Sequence, residues 1–283
     1  MKPTEFTRMR MDFADGVATV TLSRPDIRNA WAGRTAVEYR WALHHCDIDP
    51  QVRVVVITGE QDFCVGADDT LLDDIGENNG SYDVDRAALP DYPDHTPPAM
   101  RRNHFYPLTL SVPVIAAITG ACAGAGFLIA SYADIRFADS DAKIASSFAS
   151  LGLPAEYGLG WLLPRIVGSA NAAQLLYSPG PISGPRAAEM GWVQQVCTPG
   201  TALTEAVAYA RGLASGSAAG SLRMMKRQIH LDSAFDFEDA YNKSVTDMNA
   251  ALKSADFKEG VRALRDKRKP DFLGDREASA VCE

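Results

Sequence analysis

Apolar positions recur along the chain at intervals that change from strand-like to helical and back. Val17–Leu22 (VATVTL) alternates as a half-buried strand does and stops at Ser23-Arg24-Pro25. Within residues 27–47, Trp31, Val37, Trp41, Leu43 and Cys46 recur at roughly helical spacing, which predicts an amphipathic helix. Residues 52–58 (VRVVVIT) form a nearly continuous β-branched run, the mark of a strand covered on both faces. Strand, helix and strand in this order predict a layered α/β arrangement. The most informative stretch is residues 112–137, where an apolar strand runs into the small-residue turn Gly124-Ala125-Gly126 and straight on into a helix.

Lys143–Ala145 reads as a short strand and residues 159–167 as an apolar helix, with Gly168-Ser169 leading into a second helix through Tyr177. Ser183-Gly184-Pro185 opens another, with Ser as cap and Gly191 as terminator. Residues 192–197 look like a short returning strand. Beyond it, residues 204–215, 219–230, 236–254 and 256–268 all carry helical patterns. This places a boundary near residue 200, giving an α/β core over 1–200, a helical region over 201–274, and a polar, small-residue tail over 275–283 expected to be disordered.

Two small-residue turns carry candidate chemistry. Little Cβ bulk at Gly124-Ala125-Gly126 lets a ligand approach the backbone, where the free N–H groups of the next helix could seat an anion or oxyanion. Tight helix-on-sheet packing explains the same residues. The second turn, Phe63-Cys64-Val65-Gly66-Ala67-Asp68, lies beyond the end of a predicted strand, where open α/β sheets place ligands. Residues 76–104, rich in Gly, Asn, Asp and Pro, read as a long surface loop fit to wall a pocket, with His95 and His104 as solvated histidines. Glu156, bracketed by Pro154 and Gly158 just before the 159–167 helix, reads from position alone as a charge at a helix start.

Composition narrows the function classes. The chain has 283 residues, 46% of them hydrophobic and 23% charged, with a net charge of −8, so it reads as a soluble globular protein without the basic face of a nucleic-acid binder. Its five cysteines are widely spaced with no Cys-x-x-Cys pair, which predicts neither a disulfide framework nor a metal site and suits a reducing cytoplasm. No run approaches the length of a membrane span and the N-terminus has no signal-peptide core. P-loop, Rossmann, nucleophile-elbow and HExxH motifs are absent.

Eight pieces in register resemble the crotonase family, the enoyl-CoA hydratases and isomerases. They are Ser23-Arg24-Pro25 with Asn29-Ala30, the 63–68 turn, Val114-Ile115-Ala116-Ala117 with Gly120 and Gly124-Ala125-Gly126, Ala133-Asp134-Ile135-Arg136, Leu151-Gly152-Leu153, Leu163-Pro164-Arg165 to Gly168, Ala187-Ala188 with Gly191, and Asp256-Phe257 through Glu259-Gly260 to Lys267-Arg268-Lys269-Pro270. The resemblance spans residues 12–273. It implies a crotonase-like α/β spiral of ββα units with a C-terminal helical trimerisation region, a homotrimer or dimer of trimers, and an acyl-CoA thioester substrate with no other cofactor, metal, nucleic-acid or membrane partner. By family position, the backbone N–H groups of Ala67 and Ala125 would donate to the thioester oxygen. Coenzyme A would meet Arg24, the backbone at Val65 and, from a neighbouring subunit, Lys267 and Lys269.

The departures from the family pattern concern the carboxylates. Hydratases of this family use two glutamates whose ungapped positions here hold Leu128 and Phe148, neither of which can transfer a proton. Glu156 is similar in position to the catalytic aspartate of dienoyl-CoA isomerases and of 4-chlorobenzoyl-CoA dehalogenase. Flanked by Leu153, Tyr157 and Trp161, it is expected to be partly desolvated, with a raised pKa suited to proton transfer. The resemblance thus implies enolate chemistry with one carboxylate, favouring double-bond isomerisation, and an acyl pocket shaped by Leu128, Phe148, Trp161 and the 76–104 segment. Atypical hydration, acyl-CoA hydrolysis by the same Glu, and a silent acyl-CoA-binding protein are the alternatives.

Overall fold

The computed structural model describes residues 1–68, 71, 73, 84, 86–232 and 235–272. The expected disordered tail over 275–283 and most of residues 76–85 therefore lie outside the described residues. The chain opens with a β-hairpin, β1 (Met9–Ala14) and β2 (Val17–Leu22), followed by α1 (Gly33–Ile48) and β3 (Val54–Gly59). The predicted 27–47 helix starts six residues late, because Arg28 and Asn29 both adopt left-handed φ values, 53° and 56°. Asn29 is buried, and its side chain accepts from the Arg24 amide (2.7 Å) and donates to the carbonyls of Glu60 (3.0 Å) and Asp62 (2.7 Å). Those three bonds hold residues 23–29 as a compact turn against the end of β3 instead of a first helical turn.

After β3 the described part of the 76–104 segment contains only 3-10 turns, at Arg86–Ala88, Pro98–Met100 and Asn103–Phe105. Then come α2 (Tyr106–Thr109), β4 (Val114–Ile118), β5 (Ala121–Ala123), α3 (Ala125–Ser131), β6 (Ile135–Asp139) and β7 (Lys143–Ala145). The long α4 (Leu159–Tyr177) is broken where Gly168 leaves helical geometry (φ 76°, ψ 160°), so the two predicted helices are two arms meeting at that glycine. β8 (Ile182–Ser183), α5 (Gly184–Glu189) and β9 (Gln195–Cys197) follow, with the Ser183 hydroxyl accepting from the Arg186 amide as the predicted cap. The last four helices are α6 (Ala202–Gly216), α7 (Ala219–His230), α8 (Phe237–Ala251) and α9 (Ala255–Asp266).

Six strands form one sheet in the order β1-β2-β3-β4-β6-β9, parallel except for the β1-β2 hairpin, and β5-β7-β8 form a second. Alternation along the central strands assigns each face. Val55, Ile57, Val114, Ala116 and Ile118 join the core that includes α1, α3 and α4, while Val54, Val56, Ile115, Ala117 and Phe137 face α6. On α6 the buried residues are Ala202, Ala206, Ala210 and Ala214, a one-face stripe of small side chains that lets the helix lie close to the sheet. This double coverage is why residues 52–58 are apolar without alternation.

The C-terminal helices are tied to the core by a buried ionic cluster. Lys226 on α7, 4% exposed, donates to Asp134 (2.8 Å) and to the carbonyls of Pro107 (2.7 Å) and Val112 (2.9 Å), while His230 contacts the other Asp134 oxygen at 2.7 Å. Burial alone would raise the Asp134 carboxyl, but Lys226 and His230 outweigh it and hold the group at about 2. A depressed carboxylate stabilises the fold above its ordinary value near 3.8, and that contribution disappears as pH falls toward 2. Asp134→Asn leaves the Lys226 charge buried without its counterion and is expected to cost about 3–5 kcal/mol. Urea titration should show this as a lower midpoint at pH 7 and a smaller loss of stability between pH 5 and pH 2; an unchanged midpoint would refute the account.

Candidate active site

The two small-residue turns are brought together backbone against backbone. In the first, the Trp31 amide donates to the Gly66 carbonyl (2.6 Å) and the Asp68 amide to the Trp31 carbonyl (2.9 Å), a parallel bridge centred on Ala67. That pattern turns the N–H of Ala67 itself away from Trp31. A second bridge joins the turns directly: the Cys64 amide donates to Ala121 (3.0 Å) and the Ala123 amide to Cys64 (2.9 Å). Gly124 adopts φ 50°, ψ −114°, outside the range of ordinary L residues, and a Cβ there would lie 3.3 Å from the Gly66 Cα. A Cβ on Gly126 would come within 2.3 Å of the Cys64 carbonyl oxygen. Gly124 is required by its backbone conformation and Gly126 because the other turn fills the space a Cβ would need.

Ala125 is the first residue of α3, whose first internal bond runs from the Leu128 amide to Gly124 (2.9 Å), so the Ala125 N–H has no intrahelical acceptor. Among the described residues neither the Ala67 nor the Ala125 amide is committed to a protein acceptor. With only seven residues, α3 contributes little macrodipole, and what the site offers is two aimed amides. Behind the turns, Cys64 and Cys122 are free and fully buried, and burial raises both thiols, Cys64 to about 12.

Glu156 sits on the turn that leads into α4, partly buried, and its carboxylate makes no hydrogen bond or ion pair among the described residues. Desolvation raises its pKa, in the direction expected from its apolar neighbours. Beside it, Tyr157, Gly158 and Trp161 line a cleft of about 920 Å³ whose opposite wall is the 86–105 segment, including Tyr92, His104 and Phe105. His104 differs from the solvated loop histidine expected from sequence. Its ring lies 4.0 Å from that of Tyr157, and burial lowers its pKa to about 4, so it is neutral at physiological pH. His95 is also engaged, at 2.8 Å from the Thr109 carbonyl.

A family model described as enoyl-CoA hydratase/isomerase matches residues 12–275. The chain belongs to that family. The 1,2-epoxyphenylacetyl-CoA isomerase of Escherichia coli (strain K12) is 33% identical over 274 residues, covering 92% of this chain and 95% of the relative. A probable enoyl-CoA hydratase of Bacillus subtilis (strain 168) is 31% identical over 263 residues, covering 92% and 96%. Among solved structures, a probable enoyl-CoA hydratase/isomerase from Mycobacterium abscessus superposes with a TM-score of 0.82 at 29% identity, covering 95% of this chain and all of that one (100%). The enoyl-CoA hydratase from Bacillus anthracis does so with a TM-score of 0.82 at 25% identity. The crotonase spiral and the family assignment expected from sequence are thus established, and the protein is an enzyme of the enoyl-CoA hydratase/isomerase family.

Within this family member the remaining predicted residues fall into three groups. Trp161 lies on the cleft wall, whereas Leu128 and Phe148, 1% and 3% exposed, are packed in the core and do not line that cleft. Arg24 lies beside the first turn, but its guanidinium already bonds to Asp68 and to the Ala30 carbonyl, both at 3.2 Å, and Val65 lies within that turn. Lys267 and Lys269 are exposed at the end of α9, flanking Arg268, which is paired with Glu259. Tyr132 went unrecognised in sequence, since it falls within the apolar run of a helix; its buried hydroxyl bonds to the Tyr157 carbonyl at 2.5 Å.

The raised pKa of Glu156 has a measurable cost. A carboxyl with a raised folded pKa adds stability below its ordinary value near 4.5 and loses that contribution as pH rises through the folded value. Glu156→Gln is therefore expected to unfold at an equal or higher temperature than the unaltered protein at pH 8, with the advantage gone by pH 4. Calorimetry at the two pH values tests this, and a variant less stable at pH 8 would contradict the burial described.

Proposed function

We propose that the enzyme takes an acyl-CoA thioester, forms its enolate against the amides of Ala67 and Ala125, and moves one proton between carbons with Glu156, the net reaction being double-bond isomerisation. Glu156, as carboxylate, removes a proton from C2 of a 3-enoyl thioester, and the C–H electron pair moves onto the thioester oxygen. The two N–H groups stabilise that charge. Glutamic acid then returns the proton to C4, giving the 2-enoyl thioester and restoring the carboxylate. Coenzyme A enters as part of the substrate, and the proton balance requires no further cofactor.

The observation that carries this reading is a half-buried carboxylate beside a cleft, without a partner among the described residues and with its pKa raised by desolvation, in a chain whose two bare turns leave the Ala67 and Ala125 amides uncommitted. Residues 128 and 148, where hydratases of this family place their two glutamates, are Leu and Phe and lie in the core. The aromatic walls of the cleft, Tyr92, Phe105, Tyr132, Tyr157 and Trp161, favour a ring-bearing acyl group. The name of the Escherichia coli relative, 1,2-epoxyphenylacetyl-CoA isomerase, supports a ring-bearing acyl-CoA thioester, although the isomerisation it names is that of an epoxide. Arg24 and Val65 would border the thioester end of coenzyme A, with Lys267 and Lys269 reaching its phosphates from a neighbouring subunit.

Assembly as a trimer or dimer of trimers is supported by what the last helices leave uncovered. Phe237, Tyr241 and Met248 on α8 and its cap residue Leu252 fall on one face and all are exposed, as are Phe257 and Leu264 on α9. A cytoplasmic location fits four buried free cysteines and the absence, among the described residues, of any helix long and apolar enough to cross a membrane.

The decisive assay offers 2-enoyl-, 3-enoyl-, dienoyl- and phenylacetyl-CoA in deuterated water and follows label and double-bond position by mass spectrometry and NMR. Exchange at C2 and 3-enoyl to 2-enoyl conversion are expected, both falling at least about 100-fold in Glu156→Gln. Hydration of simple 2-enoyl thioesters alone, or thioester hydrolysis, would replace isomerisation with the corresponding alternative, and tight binding without exchange would mark a silent binder. Sedimentation should give three or six protomers; replacing Phe237 and Tyr241 together by Glu should yield monomers, and an unchanged mass would place the interface elsewhere.

A further inference from the structure

The turn carrying Glu156 has an unusual backbone. The Leu159 amide donates to the Glu156 carbonyl (2.9 Å), closing a four-residue turn whose two central residues, Tyr157 and Gly158, both have positive φ, 46° and 87°. Positive φ at both centres is the signature of a type I′ turn. Gly158 tolerates this freely, but a bulky aromatic residue in the left-handed region costs of order 1–2 kcal/mol and persists only where its surroundings hold it. Turning the central peptide over to type II′ would leave Tyr157 at positive φ in the position that favours glycine, so the turn relaxes only if Tyr157 returns to negative φ, which unmakes it.

One side chain holds this strained turn in place. The hydroxyl of Tyr132 donates to the carbonyl of that central peptide at 2.5 Å, and a Cβ on Gly158 would lie 3.0 Å from the same hydroxyl oxygen. Tyr132 is 2% exposed, packs edge-on to Phe105 with ring centroids 5.9 Å apart, and burial raises its hydroxyl to about 12, so it remains a donor at any working pH. It caps the C-terminal end of α3, the helix that begins with Ala125. Seven residues of helix span about 10 Å. That span is itself clamped: the buried guanidinium of Arg136 donates to the Ala130 (3.3 Å) and Ala133 (2.8 Å) carbonyls, and Phe127 stacks on Trp192 at 4.9 Å.

We infer that Tyr132 is the positioning residue for Glu156, fixing the central peptide of its turn so that the carboxylate is held in register with the Ala125 amide at the other end of α3. This rests on the assignment of Glu156 as the proton carrier. Without the hydroxyl, the turn loses the bond that holds its central carbonyl, Tyr157 returns to negative φ with release of its left-handed strain, and Glu156 moves toward water. Tyr132 touches no reacting atom in this scheme and acts only through the turn.

The test uses the full-length protein, with phenylacetyl-CoA and 3-hexenoyl-CoA as probes and C2 deuterium exchange as the readout. Tyr132→Phe should lower kcat 10- to 100-fold with KM within about threefold, since the ring that lines the cleft remains. Its acid limb in the kcat profile should move to lower pH, because a Glu156 released toward water loses the desolvation that raises its pKa. In a Glu156→Gln background the same change should have no further effect on the residual rate. Gly158→Ala, which pushes on the hydroxyl from the other side, should reproduce the pattern and serves if Tyr132→Phe folds poorly. A wild-type rate and pH limb in Tyr132→Phe, with Glu156→Gln inactive, overturns the positioning role alone. Equal fold-losses with and without Glu156 also overturn it, by showing a general structural effect. Full exchange in Glu156→Gln removes the parent assignment, and the positioning role with it.

Discussion

The rest of the site depends on a contact in which no side chain takes part. The turns after β3 and β5 meet main chain to main chain, with Gly124 held in a backbone conformation outside the range of ordinary L residues and the space where Gly126 would carry a Cβ already filled by the Cys64 carbonyl. Only because both turns are bare can the amides of Ala67 and Ala125 belong to one surface. β3 belongs to the large sheet and β5 to the small one, and the Cys64–Cys122 bridge fastens the two turns together where the sheets meet. The geometry is therefore stored in the backbone, and side-chain variation around it changes chemistry without moving the donors.

That separation lets side chains such as Leu128 and Phe148 be set by core packing while the two bare turns keep their form. Leu128 and Phe148 add to core packing at positions where ionised groups would have to be kept solvated. Glu156 lies instead on a turn at the cleft edge, where partial burial raises its pKa without a buried countercharge. Buried charge does occur in the molecule, at Asp134, but there it is matched by Lys226 and His230 and holds helices together. The two carboxylates show opposite effects of burial: Asp134, matched by cations, is depressed, whereas Glu156, with no partner among the described residues, is raised by desolvation.

Much of this was legible in the residues. Val17–Leu22, the Ser183 cap and the Gly191 stop follow local rules and occur where they were read, although the strand is buried on both faces rather than half-buried as its alternation suggested. The small-residue turns and Glu156 stood out because Gly, Pro and a lone carboxylate are conspicuous in sequence. The start of α1 was misread because Asn29 forms its bonds to Glu60 and Asp62, more than 30 residues away, and no local pattern reports such partners. β1 escaped notice because only Met9 in it is buried, which leaves no clean alternation. His104 and Tyr132 were opaque for a related reason. Each takes its role from Tyr157, a residue remote in sequence, and a histidine in a polar loop or a tyrosine in an apolar helix looks ordinary until that partner is placed.

The thiols behind the turns set a chemical boundary on what the site can do to itself. A thioester held at Ala67 and Ala125 would lie within a few residues of Cys64, and a thiolate there would capture the acyl group by exchange and end turnover. Burial raises the Cys64 thiol to about 12, so it stays protonated at neutral pH. Dry packing thus makes the protein a poor acceptor of activated acyl groups. It also predicts that reagents selective for thiolates will leave the site unmarked while the enzyme is folded.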